Sequence, residues 1–370
     1  MSIPTATVKM GIAFCSACRH ISAECEGKEK AEFFTEQIYG ENYSGYVPTN
    51  LSSRQCKYNL FMAEWLAQFL PKKCRVLEIG CHDGFFLSLL QKKGFECEGI
   101  EPSPFADIAV KKYGIKVKKD FFRKGIVEKG AYDVVILKHI VEHVPDPIEF
   151  LQFSLEPLKR GGFLYVEVPN SLGSLEGKFY PEFHVDHISY FTFASLMKIM
   201  EICGLNDIVH IESFYGYMQF PFLISLARKG NFGKRSRGNL KKHSWCMDFR
   251  VPALMKEFTN RFKNNYLPNL KKLGKGRKLA VWGTGSIGHQ FAMDSGWGMD
   301  DVVYVDPNPV NQGKFLSVTG HEVLPIEAIN EKKCDTILIA SGWEDDVREQ
   351  IKKTIKGRIK VLSFYDLIKQ

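Results

Sequence analysis

The chain has 370 residues, enough for two or three domains. Its 45% hydrophobic and 25% charged content is typical of a soluble globular protein, and no apolar run reaches the roughly 18 residues of a membrane span. Ten scattered cysteines and the lack of a signal-peptide pattern predict reduced thiols in a cytoplasmic protein. The net charge of +8 is mild, and no aromatic residues interleave with its basic stretch, so we expect neither a nucleic-acid nor a membrane partner.

Residues 1–55 are predicted to form a small irregular N-terminal segment, in which Cys15 and Cys18 lie in a β-like stretch. The Cys-x-x-Cys spacing suits a zinc knuckle, but a structural zinc ion needs four ligands. Cys25 and Cys56 could complete the set, although no second Cys-x-x-Cys exists. A zinc site and a metal-free remnant therefore both stay open.

The stretch from Val76 to Gly84 predicts an apolar strand, a tight glycine turn and the start of a helix. Gly80 and Gly84 let the backbone approach a ligand without an intervening Cβ, and the helix N-terminus presents free amides. A second strand ends at Glu101, where the carboxylate could accept hydrogen bonds from both hydroxyls of a ribose. This unit predicts a site for an adenosine-containing cofactor.

The residues within the turn indicate which cofactor. A dinucleotide fingerprint would have a third glycine for packing against the pyrophosphate, whereas this turn carries Glu78 and Asp83. Carboxylates are poor neighbours for a pyrophosphate and good ones for the cationic amino-acid end of S-adenosylmethionine. The turn therefore predicts a methyltransferase.

The surrounding pattern predicts the fold. After a helix, strands and helices alternate, which is typical of a parallel sheet covered on both faces. A further helix and two closing strands resemble, by analogy, the end of a class I methyltransferase sheet. We expect an α/β, Rossmann-like methyltransferase domain over residues 56–229. Its predicted elements are a helix at Cys56–Phe69, strands at Arg75–Ile79, Glu96–Ile100, Ile115–Lys118, Asp133–Leu137 and Gly162–Val168, a helix at Phe193–Cys203, and strands at His210–Ser213 and Phe222–Ala227.

Residues 230–275 are expected to be a basic linker followed by a long helix from about Asp248 to Leu273. Seven Lys or Arg and no acid lie between Arg228 and Lys242, which indicates a solvated linker or a surface for an anionic substrate. Residues 276–370 are predicted to be a second Rossmann-like α/β domain. Its strands are expected at Lys278–Trp282, Asp301–Val305, Thr336–Ala340 and Val361–Phe364, with a helix from Glu344. Here the turn beginning at Gly283 is a complete G-x-G-x-x-G, and Asp306 ends the next strand.

The chain resembles the S-adenosylmethionine-dependent C-methyltransferases that act on nucleotide-linked 4-keto-deoxysugars. Almost its whole length is covered by the resemblance, which depends on motifs at Glu78–Gly84, Asp120–Phe122, His143–Asp146, Asp186–Phe191 and Val305–Lys314. The chain departs from that family in lacking its first Cys-x-x-Cys pair. His82 replaces an asparagine, and His-Val precedes Asp186 where the family usually has Tyr-His.

The resemblance implies roles for individual residues. Methylating a carbon next to a ketone requires removal of an α-proton, and His187 matches the family's candidate base. Asp186 would position the substrate or the base, and His143 could hydrogen-bond the enolate oxygen. Asp120 would hold the adenine amino group, and the carbonyl of Lys138, rather than its ammonium, would face the cationic cofactor. His184 is expected to be structural.

For the second glycine turn, the resemblance implies no redox cofactor but a domain that helps enclose a small-molecule substrate, most simply a nucleotide sugar. Three functions stay open from the sequence. The first is C-methylation of a nucleotide-linked keto-deoxysugar through an enolate. The second is O- or N-methylation of another small molecule or glycan, and the third is a binding protein of the same fold that has lost catalysis.

Overall fold

The computed structural model describes residues 10–16, 20–25, 53–177, 179, 182–183, 187–205, 207–215, 221–230, 250–275, 278–309, 311–316, 319–342 and 344–368. The strands are β1 (Met10–Phe14), β2 (Ile21–Cys25), β3 (Arg75–Ile79), β4 (Glu96–Ile100), β5 (Lys116–Lys118), β6 (Tyr132–Lys138), β7 (Leu158–Pro169), β8 (Ser189–Tyr190), β9 (Asp207–Tyr215), β10 (Pro221–Arg228), β11 (Leu279–Trp282), β12 (Val302–Val305), β13 (Val323–Leu324), β14 (Thr336–Ile339) and β15 (Lys360–Leu362).

The α-helices are α1 (Ser53–Ala67), α2 (Phe85–Lys92), α3 (Phe105–Tyr113), α4 (Pro147–Leu155), α5 (Ser171–Gly177), α6 (Phe193–Ile202), α7 (Val251–Arg261), α8 (Leu267–Leu273), α9 (Ser286–Ser295), α10 (Ala328–Glu331), α11 (Glu344–Thr354) and α12 (Phe364–Ile368). A 3₁₀ turn spans Val141–His143, and one π-helical turn, Phe262–Tyr266, joins α7 to α8.

The methyltransferase-like sheet has seven strands in the order β5-β4-β3-β6-β7-β10-β9. The five strands β3, β4, β5, β6 and β7 are parallel to one another, and β10 is antiparallel to both β7 and β9. The predicted alternation and the closing hairpin are thus confirmed. β3 and β4 have the predicted bounds, and their carboxyl ends are followed directly by Gly80 and Glu101.

Alternating side chains of this sheet enter two different apolar clusters. In β6, for example, Val134 and Ile136 contribute to one cluster, and Val135 and Leu137 to the other. Helices α1 and α2 pack on the first face, and α4 and α6 on the second. Because both faces of the sheet are buried, ligands are expected to bind at the carboxyl ends of its parallel strands.

The second Rossmann-like unit has a five-stranded parallel sheet in the order β13-β12-β11-β14-β15. The second unit contacts the first through Phe364, whose ring centroid lies 5.8 Å from that of Phe179. Helix α7, which precedes the second unit, contacts the first through Phe258, whose ring centroid lies 4.8 Å from that of Phe183. Arg250 also donates to Glu176 at 2.6 Å. One apolar cluster is continuous across both units.

Two segments differ from expectation. The long helix expected over Asp248–Leu273 is interrupted by the π-helical turn Phe262–Tyr266. The turn lies just before Pro268, and proline has no N–H to continue the helical hydrogen bonds. Asp248 itself lies outside the described residues. Part of the N-terminal segment expected to be irregular forms an antiparallel hairpin of β1 and β2, which extends to β8 in a three-stranded sheet.

Candidate functional site

The glycine turn after β3 has the conformation that its residues favour. Gly80 and Gly84 have φ of 71° and 73°, in the left-handed region that side chains other than glycine rarely adopt. A Cβ on Gly84 would lie 2.7 Å from the Cβ of Ala109, and one on Gly80 would lie 2.3 Å from Cδ1 of Ile140. Glycine is therefore required here both by conformation and by space.

Glu101 stands at the carboxyl end of β4 and closes this turn from the side. It is only 7% exposed, and its two carboxylate oxygens accept hydrogen bonds from the amides of His82 (2.9 Å) and Ser103 (3.0 Å). His82 has a φ of 50°, which asparagine and histidine tolerate better than most residues, and its ring stacks on Phe105 at 3.9 Å. Because asparagine and histidine both tolerate this positive φ, histidine can stand at position 82, where the similar C-methyltransferases have asparagine.

Glu78 is buried at the end of β3, with 3% of its surface exposed, and its Oε2 makes no hydrogen bond to any described residue. Burial raises the pKa of Glu78 to about 8, although Lys138 opposes the rise. Burial alone would also raise the pKa of Asp83, but His82 and the amide of Phe85 lower it overall. The turn therefore presents one ionised carboxylate and one that is protonated near neutral pH.

The ammonium of Lys138 lies in a buried polar pocket behind the turn, close enough to Glu78 to oppose the rise of its pKa. It donates to Oδ1 of Asn59 at 2.6 Å, lies 3.9 Å from Oε1 of Glu167, and sits above the rings of Tyr58 and Phe86. That the carbonyl of Lys138, and not its charge, faces a cationic cofactor stays a prediction.

His139, next to Lys138, bridges two buried carboxylates. Its Nε2 lies 3.0 Å from Oε1 of Glu167, and its Nδ1 lies 3.4 Å from Oε1 of Glu142. Burial alone would lower the pKa of His139, but the two carboxylates raise it to about 9. Burial would likewise raise the pKa of Glu167, but Lys138 and His139 hold it well below its usual range. The pocket is thus a network of paired charges.

His143 and His187 meet beside this network, with ring centroids 4.8 Å apart. His143 ends the 3₁₀ turn that follows β6, and its Nε2 lies 3.9 Å from Oε1 of Glu142. His187, 7% exposed, precedes β8. The amide of Ile188 donates to the carbonyl of Glu142 at 2.8 Å, which fixes one segment on the other. The structure therefore brings together the two histidines that the sequence singled out.

Other predicted site residues are placed differently. Asp120 is bound by Arg123 through two contacts of 2.7 and 2.8 Å, and this guanidinium lowers the pKa of Asp120. Cys15 is exposed after β1. Asp186, Cys18 and His184 lie outside the described residues. Within the described part of the chain, the grouping of potential metal ligands is that of Glu142, His143 and His187, and it contains no cysteine.

Sequence reasoning missed Glu142, His139 and Glu167. Two signals were available: Glu167 is a single charge in the otherwise apolar run Phe163–Val168, and His139 and Glu142 are three residues apart, on one side of a helical turn. An isolated charge in a buried strand indicates a buried partner.

In the second unit, the acid of the glycine signature is already bound by its own chain. Asp306 is 6% exposed and accepts hydrogen bonds from the amide and hydroxyl of Thr284, from the amide of Asn308 and from Nδ2 of Asn311. A Cβ on Gly288 would lie 2.3 Å from the carbonyl oxygen of Gly283, so this glycine is required by helix packing. Both residues thus have contacts within the second unit, and that this turn holds no redox cofactor stays a prediction.

Comparison with known proteins identifies the class of the first unit. Residues 53–210 match the family described as a methyltransferase domain. Together with the strand order, this match defines a class I S-adenosylmethionine-dependent methyltransferase domain, as the turn at Gly80 predicted. None of the helices in the described residues is both long and apolar enough to cross a membrane.

Individual relatives are distant. The chain is 26% identical over 150 residues to the ubiquinone biosynthesis O-methyltransferase of Vibrio parahaemolyticus, a match over 36% of this chain and 64% of that protein. It is 30% identical over 105 residues to the enzyme of the same name from Marinobacter nauticus, over 26% of this chain and 44% of that protein. The chain thus spans less than two thirds of the length of these relatives.

Solved structures of similar shape include two methyltransferases. One is a possible histamine N-methyltransferase from Thermotoga maritima, with 22% identity, a TM-score of 0.39, and coverage of 54% of this chain and 95% of that one. The other is 1,6-didemethyltoxoflavin-N1-methyltransferase from Burkholderia thailandensis, with bound 1,6-didemethyltoxoflavin and S-adenosylhomocysteine. It has 13% identity, a TM-score of 0.43, and coverage of 60% of this chain and 99% of that one.

Proposed function

We propose that the protein transfers the methyl group of S-adenosylmethionine to a carbon next to the ketone of a nucleotide-linked keto-deoxysugar. The observation that carries this proposal is the pairing of His143 with His187, 4.8 Å between ring centroids, at the edge of the sheet that also carries the glycine turn. The motif resemblance at Asp186–Phe191 supports the choice of carbon as the acceptor.

The residues at the turn fit the cofactor. A Cβ at Gly80 or Gly84 would meet neighbouring side chains, and Oε2 of Glu78 is a buried oxygen available for a cationic ligand. Glu101 would take the ribose hydroxyls and the backbone of Lys138 would face the amino-acid end. Asp120 would reach the adenine amino group on leaving Arg123. The cofactor supplies an electrophilic methyl group on a sulfonium.

The histidine pair would generate the nucleophile. His187 accepts the proton from the carbon α to the ketone, and the electron pair of that C–H bond moves towards the ketone oxygen. His143 donates a hydrogen bond to this oxygen and so stabilises the enolate. Asp186 positions the substrate or the base. The buried ion pairs of His139 with Glu142 and Glu167 stabilise the segment that carries His143.

A second candidate is O-methylation of a small molecule, in which the same pair would remove a hydroxyl proton. The observation that favours it is the similarity of the domain to proteins named ubiquinone biosynthesis O-methyltransferases.

The test incubates the full chain with S-adenosylmethionine and a panel of nucleotide sugars, and reads the product by mass and by solvent deuterium exchange at the α-carbon. We expect His187→Asn to lose exchange and methylation while it still binds the cofactor. His289→Asn, on α9 of the second unit, is the matched control and should retain both. Methyl transfer to oxygen would support the second candidate instead. Cofactor binding without transfer to any acceptor would point to a protein that has lost catalysis.

A further inference from the structure

We propose that Glu142, His143 and His187 bind one divalent transition-metal cation of the Zn²⁺ or Co²⁺ type. Each residue offers one ligand atom, and these atoms all lie within 4.8 Å of one another. Bonds of about 2.0–2.2 Å to a tetrahedral cation place its ligands roughly 3.3 Å apart, so that rotations closing these separations by about 0.5–1.5 Å complete the site.

The burial of Glu142 is the second observation that points to a ligand. Its side chain is 2% exposed, and its Oε2 makes no hydrogen bond to any described residue. A buried carboxylate oxygen without a partner is costly, and a bound cation removes that cost. Oε1, in contrast, faces His139 at 3.4 Å and His143 at 3.9 Å.

The backbone already holds the three ligands together. Glu142 and His143 share the 3₁₀ turn, and the hydrogen bond from Ile188 to the carbonyl of Glu142 fixes the residue next to His187. The carbonyl of Ile188 in turn accepts from the amide of Ala23 in β2 at 2.8 Å. A site on short, mutually bonded segments loses little conformational freedom when it takes up its ion.

The ligand set selects the kind of cation. Two imidazole nitrogens and one carboxylate suit first-row transition metals, whereas Mg²⁺ and Ca²⁺ prefer oxygen ligands alone. Three protein ligands also leave a position open for an oxygen of the acceptor, as in catalytic zinc sites.

A role for the ion rests on the proposed function, although its binding does not. A ketone or hydroxyl oxygen in the open position would be polarised, so that the acceptor's C–H or O–H bond breaks with its proton passing to water and its electron pair held by the bound oxygen. The imidazole lone pairs are then used by the ion, and His187 positions the metal instead of acting as the base.

The experiment measures metal binding without any substrate. The full chain carrying Cys15→Ser and Cys18→Ser is stripped with a chelator and titrated with Co²⁺, followed by visible absorption and by competition with Zn²⁺. We expect one ion per chain and no thiolate absorption. Glu142→Gln, His143→Gln and His187→Gln should each weaken binding by more than about 100-fold, the upper end of the cost of changing a ligand's hydrogen-bond partner.

Two further variants keep the result interpretable. His289→Gln should bind as tightly as the parent. His143→Cys retains a ligand and should keep the stoichiometry while it gains a thiolate absorption, which a misfolded protein would not do. Unchanged affinity in all three ligand variants would overturn the inference. Full methyl transfer by metal-free protein would overturn the ion's role but leave the proposed function, whereas bound metal without methyl transfer to any acceptor would do the reverse.

Discussion

The rings of His143 and His187 lie 4.8 Å apart although the two residues belong to different segments, one following β6 and the other preceding β8. Both proposals use this pair. Either His187 accepts the α-proton while His143 binds the ketone oxygen, or both imidazoles share a cation with Glu142. In both cases the two side chains act together on the acceptor.

The first prediction concerns this joint action. His143→Asn and His187→Asn should each lower kcat by about 10²–10⁴-fold, the usual contribution of a positioned acid or base. The double variant should be little slower than the worse single variant, because residues that act as a unit are not additive. Single-turnover rates measure this; a double variant as slow as the product of the two single effects would show independent roles.

Glu78 gives a second prediction, from its raised pKa. Because burial raises that pKa to about 8, the carboxyl is mostly protonated at neutral pH. A cationic ligand beside it favours the ionised form, so cofactor binding should release up to about one proton near pH 7 and almost none well above pH 8. Calorimetry in buffers of different ionisation enthalpy measures the release.

Two variants test the source of that proton. Glu78→Gln should abolish the release, whereas Glu98→Gln should not, since its ion pair with Arg75 lowers the pKa of Glu98 and keeps it ionised already. Equal release from wild type and Glu78→Gln would assign the proton to another group.

The third prediction separates conformation from packing at the glycine turn. Gly84 and Gly94 both have positive φ, and a Cβ would be crowded by Ala109 at Gly84 but by nothing within 4 Å at Gly94. Gly94→Ala should cost about 1–2 kcal/mol for the left-handed backbone alone. Gly84→Ala should cost about 1–3 kcal/mol more, because the added methyl group overpacks against Ala109. Urea unfolding measures both, and equal costs would contradict the packing argument.

The fourth prediction concerns the buried charges behind the histidine pair. Glu167→Gln leaves Lys138 and His139 without their shared carboxylate, which should cost about 3–5 kcal/mol of unfolding free energy. Glu201→Gln, which breaks a half-exposed pair with Lys198, should cost less than about 1 kcal/mol. Similar costs for the two variants would show that the buried network contributes little.

The pH dependence follows from the two pKa shifts. The pKa of Glu167 is lowered, so its contribution is present above the ordinary value of 4.5 and is lost as the pH falls below it. The pKa of His139 is raised, so its contribution is complete below the ordinary value of 6.5 and is lost as the pH rises towards 9. The difference between wild type and Glu167→Gln should therefore be largest between these two ordinary values.

Much of the fold follows from local patterns in the sequence. β3 and β4 were predicted to the residue because the glycine turn at Gly80 and the carboxylate of Glu101 mark their carboxyl ends. β8 was missed, since a two-residue strand has no periodicity and its partner β2 is far away in the chain. The π-helical turn was also missed, because the apolar spacing around it remains helical.

The candidate site was predictable only in part. Gly80 and Glu101 directly follow strands, where a pattern of residues is informative, and the two histidines were singled out by the motif resemblance. Glu142 is different: its burial against His139 depends on how β7 and the 3₁₀ turn pack. The isolated charge of Glu167 and the spacing of His139 and Glu142 indicate buried partners, but which groups converge is a property of the folded chain.

The ring contact between Phe179 and Phe364 has a consequence for the order in which the parts of the protein fold. On the ribosome, every strand of the methyltransferase sheet is synthesised long before Phe364, so that sheet folds first. Phe179 precedes His187 by eight residues, and it can contact Phe364 only after the second unit has been synthesised. The proposed acceptor site is therefore expected to be completed last, and a nascent chain is expected to bind the methyl donor before it can bind an acceptor.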